Sequence, residues 1–118
     1  MLQMLRLKYG KGVIIMARKR LLCVSSGLKT ADAAIFAGEC VFCGGKVIAD
    51  GTNAAEVVLY DNASAASGTV IGKAQVRAAD APETDSIEVP PDGVHCVNGI
   101  YADVTGTNAE YYVYYRLI

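Results

Sequence analysis

Tryptophan is absent from this chain, proline occurs only 3 times and histidine once, and the first 20 residues contain no aspartate or glutamate. Each shortage excludes something. A single imidazole, His95, rules out the multi-histidine constellations of most catalytic metal sites. No stretch reaches the roughly 20 consecutive apolar residues that a membrane-crossing helix requires, and the start lacks a secretory apolar core followed by small cleavage-site residues. The expectation is an intracellular, reducing origin with no membrane partner. Phosphate-loop, dinucleotide, serine-elbow and paired-carboxylate patterns are missing as well. What is present is apolar: 53% of the 118 residues are hydrophobic, with 12 glycines and 7 tyrosines. That composition excludes wholesale disorder. The length fits one domain that can bury about two thirds of its unfolded surface, so the 4 cysteines are not needed as staples.

The formal charge of -1 hides a division. Arg6, Lys8, Lys11, Arg18, Lys19 and Arg20 are 6 of the 11 basic residues, while the remainder of the chain carries 5 basic and 12 acidic side chains, a net -7. Residues 1–20 read as a basic arm or extension and 21–118 as an acidic body. Such an arm attracts acidic protein or nucleic-acid surfaces, with a pull that salt weakens; the plainer reading is an extension kept soluble by its charge. Met16-Ala17-Arg18-Lys19-Arg20 has the form of an ordinary start, which would make residues 1–15 an upstream extension. Leu2, Leu5, Leu7 and the Val13-Ile14-Ile15 run, around Gly10-Lys11-Gly12, suit a hairpin or a loose helix equally.

Beyond the arm the pattern is strand and turn. A short apolar run, 21–24, ends at Ser25-Ser26-Gly27. The Ala-rich segment Thr30 to Ala37 predicts one helical turn capped by Thr30 or Asp32. Strands are expected at 35–42, closed by Gly44-Gly45, then at 46–49, 56–61, 69–76, 86–89, 93–96, 100–104 and 110–117. Pro90-Pro91-Asp92-Gly93 is a turn, because proline presets its first torsion and glycine accepts the positive one. Seven or eight short strands with regular turns predict an all-β chain: a single antiparallel sandwich or small barrel with little helix.

Residues 110–116 read Glu-Tyr-Tyr-Val-Tyr-Tyr-Arg. On a strand, alternation puts Tyr111, Val113 and Tyr115 on one face and Tyr112 and Tyr114 on the other. Both faces are aromatic, where a lone sandwich needs only one dry face, so the second row suits a covering arm or an oligomer interface. Tyrosine also tolerates half exposure with its hydroxyl wet.

Cys40-Val41-Phe42-Cys43-Gly44 has zinc-knuckle spacing, but a tetrahedral site needs two more ligands from Cys23, His95 and Cys96, and strand neighbours His95 and Cys96 diverge. The alternative is four small buried hydrophobes, Cys23, Cys40, Cys43 and Cys96, left unpaired in a reducing cytoplasm. A thiol nucleophile would need His95 within reach. Asp50, Asp61, Asp80, Asp85 and Asp92 fall at turns, where such side chains bond their own backbone, or gather a calcium ion if the loops converge. No basic and aromatic stacking platform occurs, so only the arm suits nucleic acid and no specific nucleic-acid partner is expected. The expectation is a protein without catalytic residues, cofactor or resident metal.

Two stretches carry a resemblance. Val57-Val58-Leu59-Tyr60-Asp61-Asn62, the Ala-Ser-rich 63–67 and Gly68-Thr69-Val70-Ile71, followed by 91–109 (PDGVHCVNGIYADVTGTNA) and the aromatic strand, resemble small β-sandwich virion proteins of tailed bacteriophages over residues 35–116. The resemblance implies a structural protein of the particle, assembled in the host cytoplasm, that packs in symmetric copies. Its leading form is a capsid decoration or cement protein, a homotrimer that binds the major capsid protein. Tail, connector or fibre-base components are the alternative, and a small metal-stabilised binding module is a third. The four cysteines and the basic arm depart from the pattern. The interface candidates are Arg6, Lys8, Lys11, Arg18, Lys19, Arg20, Tyr111, Tyr112, Tyr114 and Tyr115.

Overall fold

A computed structural model describes residues 22–118. The six basic candidates of the arm, Arg6 to Arg20, lie outside the described residues.

The described chain is all-β, with two antiparallel sheets packed face to face. Its strands are β1 (Val24–Ser25), β2 (Ala33–Ala37), β3 (Cys40–Ile48), β4 (Ala55–Tyr60), β5 (Val70–Val76), β6 (Thr84–Ile87), β7 (Val94–Cys96), β8 (Gly99–Thr105) and β9 (Glu110–Leu117). The first sheet runs β1-β9-β3-β6, with β7 also paired to β3, and the second runs β2-β8-β4-β5. Along the side of β3 away from β9, β7 pairs with Cys40 to Phe42 and β6 with Gly45 to Ile48. The sandwich expectation therefore holds.

The core follows from alternation. Cys40, Phe42, Val47, Cys96, Tyr111 and Val113 of the first sheet are fully buried, against Val57, Leu59, Ile100 and Ala102 of the second. Each large apolar side chain so buried contributes about 1.5–3 kcal/mol. Tyr111 needs a partner for its hydroxyl, which donates to Ala31 O at 2.7 Å.

Two expectations are corrected. The segment 30–37 forms no helical turn: Ala33–Ala37 pairs with β8, and Asp32, expected as a cap, accepts the Val104 N–H at 2.8 Å. Pairing with a strand buried on its inner face outweighs the helical preference of a few alanines. The run 35–42 is not one strand ended by Gly44-Gly45. The chain reverses at Gly38, at φ 136°, and β3 continues through both later glycines. The register with β9 shifts between Phe42 and Gly44, a bulge. At Gly45 a β-carbon would stand 2.6 Å from Tyr112 O, so the strand needs glycine there for close approach rather than for a turn. Dividing that run, joining its second part to the separately expected 46–49 strand as β3, and adding the two-residue β1 gives nine strands among the described residues.

The turn at 90–93 forms as expected, with Gly93 N donating to Pro90 O at 2.9 Å and Gly93 at φ 84°. Its glycine is sterically required, since a β-carbon would lie 2.7 Å from Phe42 O.

Candidate assembly interface

β9 lies between β3 and the short edge strand β1, and its alternation sorts the tyrosines. Tyr111 is fully buried, and Tyr115 packs against the core margin with its ring 5.4 Å from that of Phe36. Tyr112 is half-buried and Tyr114 is 41% exposed on the outer face, their rings 5.2 Å apart and tilted by 52°. Tyr111 is thus a core residue and not part of a surface, whereas Tyr112 and Tyr114 form the outer row. Burial pushes the Tyr111 hydroxyl from its ordinary 10.0 up to about 12, with the Asp32 carboxylate adding to the shift.

The margin around β1 and β9 collects apolar surface. Among the described residues the exposed large hydrophobic side chains include Leu22, Val24, Leu28, Tyr114, Leu117 and Ile118, all on these two strands or beside them. Only Val97 and Val70 lie elsewhere. β1 covers β9 through Val24 opposite Tyr115 and Ser25 opposite Tyr114, and Lys29 bridges Tyr111. Ser26 completes the cover, donating its N–H to Val113 O and accepting the Val113 N–H on Oγ. The shortness of β1 blunts the edge itself, while the exposed Leu and Ile side chains beside it give this margin the apolar character of an association surface.

The remaining candidates separate. β3 stays extended through Cys40 and Cys43, which places the two thiols on opposite faces. Cys40 faces the core and pairs in register with Cys96; Cys43 is half-buried on the outer side with Arg116 Nη1 4.0 Å away, and Cys23 is exposed beside two-residue β1, so only two of the four expected buried cysteines are core residues. The zinc knuckle is therefore not formed, and among the described residues no group of three or more Cys, His, Asp or Glu could hold a metal ion. His95 is exposed and pairs through Nε2 with Glu39, and among the described residues no hydrogen bond joins it to a thiol.

The turn aspartates divide by reach. Asp50 acts locally, accepting the Thr52 and Asn53 N–H groups, and also takes the side-chain amides of Asn53 and Asn108. The backbone N–H of Asn53, then that of Thr52, holds its carboxyl far below the usual range. Asp61 departs from the expected local turn and accepts the N–H groups of Val97, Asn98 and Gly99, fastening the β7–β8 turn from another part of the chain. Asp85 reaches across the sandwich to accept the Gln75 N–H at 3.0 Å. One pair went unread in the sequence: Asp103 has its pKa raised by desolvation and then by neighbouring Asp32. Asp103 lies on β8 and Asp32 immediately before β2, two elements that only the fold brings side by side. Surface hollows lined by Glu88, Val89 and Pro90, and by Thr30, Gly106, Asn108, Ala109 and Glu110, contain neither a thiol nor an imidazole.

Comparison with known proteins gives no family model that matches the chain, and no match among the curated proteins or the solved structures.

Proposed function

We propose that this chain is a repeated structural building block of a bacteriophage particle, a capsid decoration or cement protein that binds the shell as a symmetric oligomer, most simply a trimer. One observation carries the reading: the exposed large apolar side chains gather along the β1–β9 margin, beside the outward Tyr112 and Tyr114 pair. A block that acts by repeated contact needs such a surface, because many weak contacts in a closed symmetric array add to firm attachment. Charge supports the same role. The body carries 5 basic and 12 acidic residues, and residues 1–20 carry 6 basic and no acidic ones. The arm of one copy is thereby complementary to the body of another or to an acidic shell. The likeness of residues 35–116 to small phage virion proteins is what selects a particle over other assemblies.

The test is deletion of residues 1–20, followed by co-sedimentation of the purified protein with capsids that lack it. The body is expected to keep its β circular dichroism and to lose attachment; undiminished attachment overturns the role of the arm. Counting copies in purified particles separates the head reading from a tail, connector or fibre-base role, since decoration requires many copies and a tail component only a few.

A further inference from the structure

The buried thiols Cys40 and Cys96 sit directly opposite each other on β3 and β7. Directly opposed residues of an antiparallel pair have Cα atoms about 4.5 or 5.5 Å apart, depending on the site, and both spacings fall within the roughly 4.4–6.8 Å that a disulfide spans. Both side chains point into the core with no exposed surface. In the reduced state the Cys96 thiol donates to Val94 O at 3.5 Å. From this geometry we infer that Cys40 and Cys96 form a disulfide without backbone rearrangement once the protein meets an oxidising disulfide, covalently locking β7 to β3. The structure itself holds all four described cysteines as free thiols.

The chemistry balances as thiol–disulfide exchange with a low-molecular-weight disulfide as oxidant. One cysteine thiolate attacks a sulfur of the oxidant, making a mixed disulfide and releasing one small thiolate. The second cysteine thiolate then attacks the protein sulfur of that mixed disulfide and expels the other small thiolate. The two protons lost by the cysteines end on the two released thiols, and the electron pair that the cysteines give up reduces the oxidant.

Access sets the timing. Burial, then the charge of neighbouring Cys96, pushes the Cys40 thiol from its ordinary 9.0 up to about 12, and burial raises Cys96 as well. The folded pair therefore holds almost no thiolate and reacts slowly. β7 has three residues and pairs only with β3, so its local opening admits the oxidant at far lower cost than global unfolding. The closed loop would contain β4, β5 and β6 entire, which makes it long and its closure strongly stabilising. Cys23, just before β1, and Cys43 on β3 have β9 between them, and across two strand spacings of about 4.8 Å each the backbone lies beyond disulfide reach. The inference is independent of the phage reading and concerns the fold alone.

The experiment takes the full chain, purified reduced, and incubates it with oxidised glutathione across a temperature series below the unfolding transition. Non-reducing peptide mapping is expected to show the Cys40 peptide linked to the Cys96 peptide, and the midpoint of thermal unfolding is expected to rise by roughly 10 °C or more relative to the reduced protein. The Cys23→Ser/Cys43→Ser variant should keep the whole rise, and Cys40→Ala/Cys96→Ala should show none. Recovery of Cys40 and Cys96 as alkylatable thiols, as separate glutathione adducts, or linked to other cysteines overturns the inference.

Discussion

At the β5–β6 margin of the sandwich, Asp85 accepts a backbone N–H of β5, and the adjoining segment presents exposed Asp80 and Glu83 to water. At the opposite margin, β9 is covered by two-residue β1 and by contacts from Ser26 and Lys29, and Leu22, Val24, Leu117 and Ile118 stay exposed. The first margin is closed by a side chain and guarded by like charge, both ordinary means of stopping one sheet from pairing with another. The second shares the side-chain closure, through Ser26 Oγ on the Val113 N–H, but lacks the acidic guard. Within one small domain, then, one margin presents charge to water and the other presents apolar side chains.

The comparison can be broken most forcefully at Tyr111, which anchors the inner face of the β1–β9 margin. Tyr111→Ala should cost about 3–5 kcal/mol of folding stability by emptying a fully buried site. Tyr111→Phe, which removes only the hydrogen bond to Ala31, should cost about 1 kcal/mol. Denaturant unfolding of the two variants checks the ratio, and equal losses would mean that the hydroxyl and not the ring holds the margin.

A sharper contrast comes from placing charge on each margin in turn. Tyr114→Glu with Leu117→Glu should weaken association by about tenfold or more, read by sedimentation, while folding stability moves by only about 0.5 kcal/mol because both sites are exposed. Glu83→Lys at the other margin should leave association within about twofold. Comparable weakening from both changes would remove the distinction between the margins.

The smallest effect is in pH. Tyr111 and Cys40 are neutral when protonated, and folding raises each from its ordinary 10.0 and 9.0 to about 12. The unfolded chain therefore loses these protons first. Their contribution to stability is complete below about pH 9 and is lost as pH rises toward 12. Thermal unfolding measured from pH 8 to 11 should show a steady decline. The Tyr111→Phe variant should decline less steeply, with the raised thiols of Cys40, Cys43 and Cys96 left as the remaining contributors.

Much of this was legible in the residue order. Strand β9 lies at 110–117 as the sequence predicts, because period-two alternation of Tyr and Val is a local property that the sheet simply adopts. The core role of Tyr111 and the outward placement of Tyr114 follow from the same alternation. The reversal at Gly38 was not legible, since Gly38 and the Gly44-Gly45 pair look alike until the neighbouring strand shows which one turns and which one lets Tyr112 O approach. The zinc-knuckle spacing was misleading for a related reason: two cysteines three positions apart share a site only on a turn, and on a strand they face opposite ways.

By itself, the amino-acid sequence determined an all-β chain, an uneven charge with basic residues concentrated in the first 20 positions and acidic ones after them, and the face each residue of the aromatic strand presents. Only the tertiary structure decided that Cys40 meets Cys96, that Asp61 fastens the 97–99 turn, and that the exposed leucines share one margin with Tyr114. Alternation and turn chemistry act over a few residues and are written in the order of side chains. Partners far apart along the chain are chosen by how two sheets stack and register, which minimises the exposure of all their apolar faces at once.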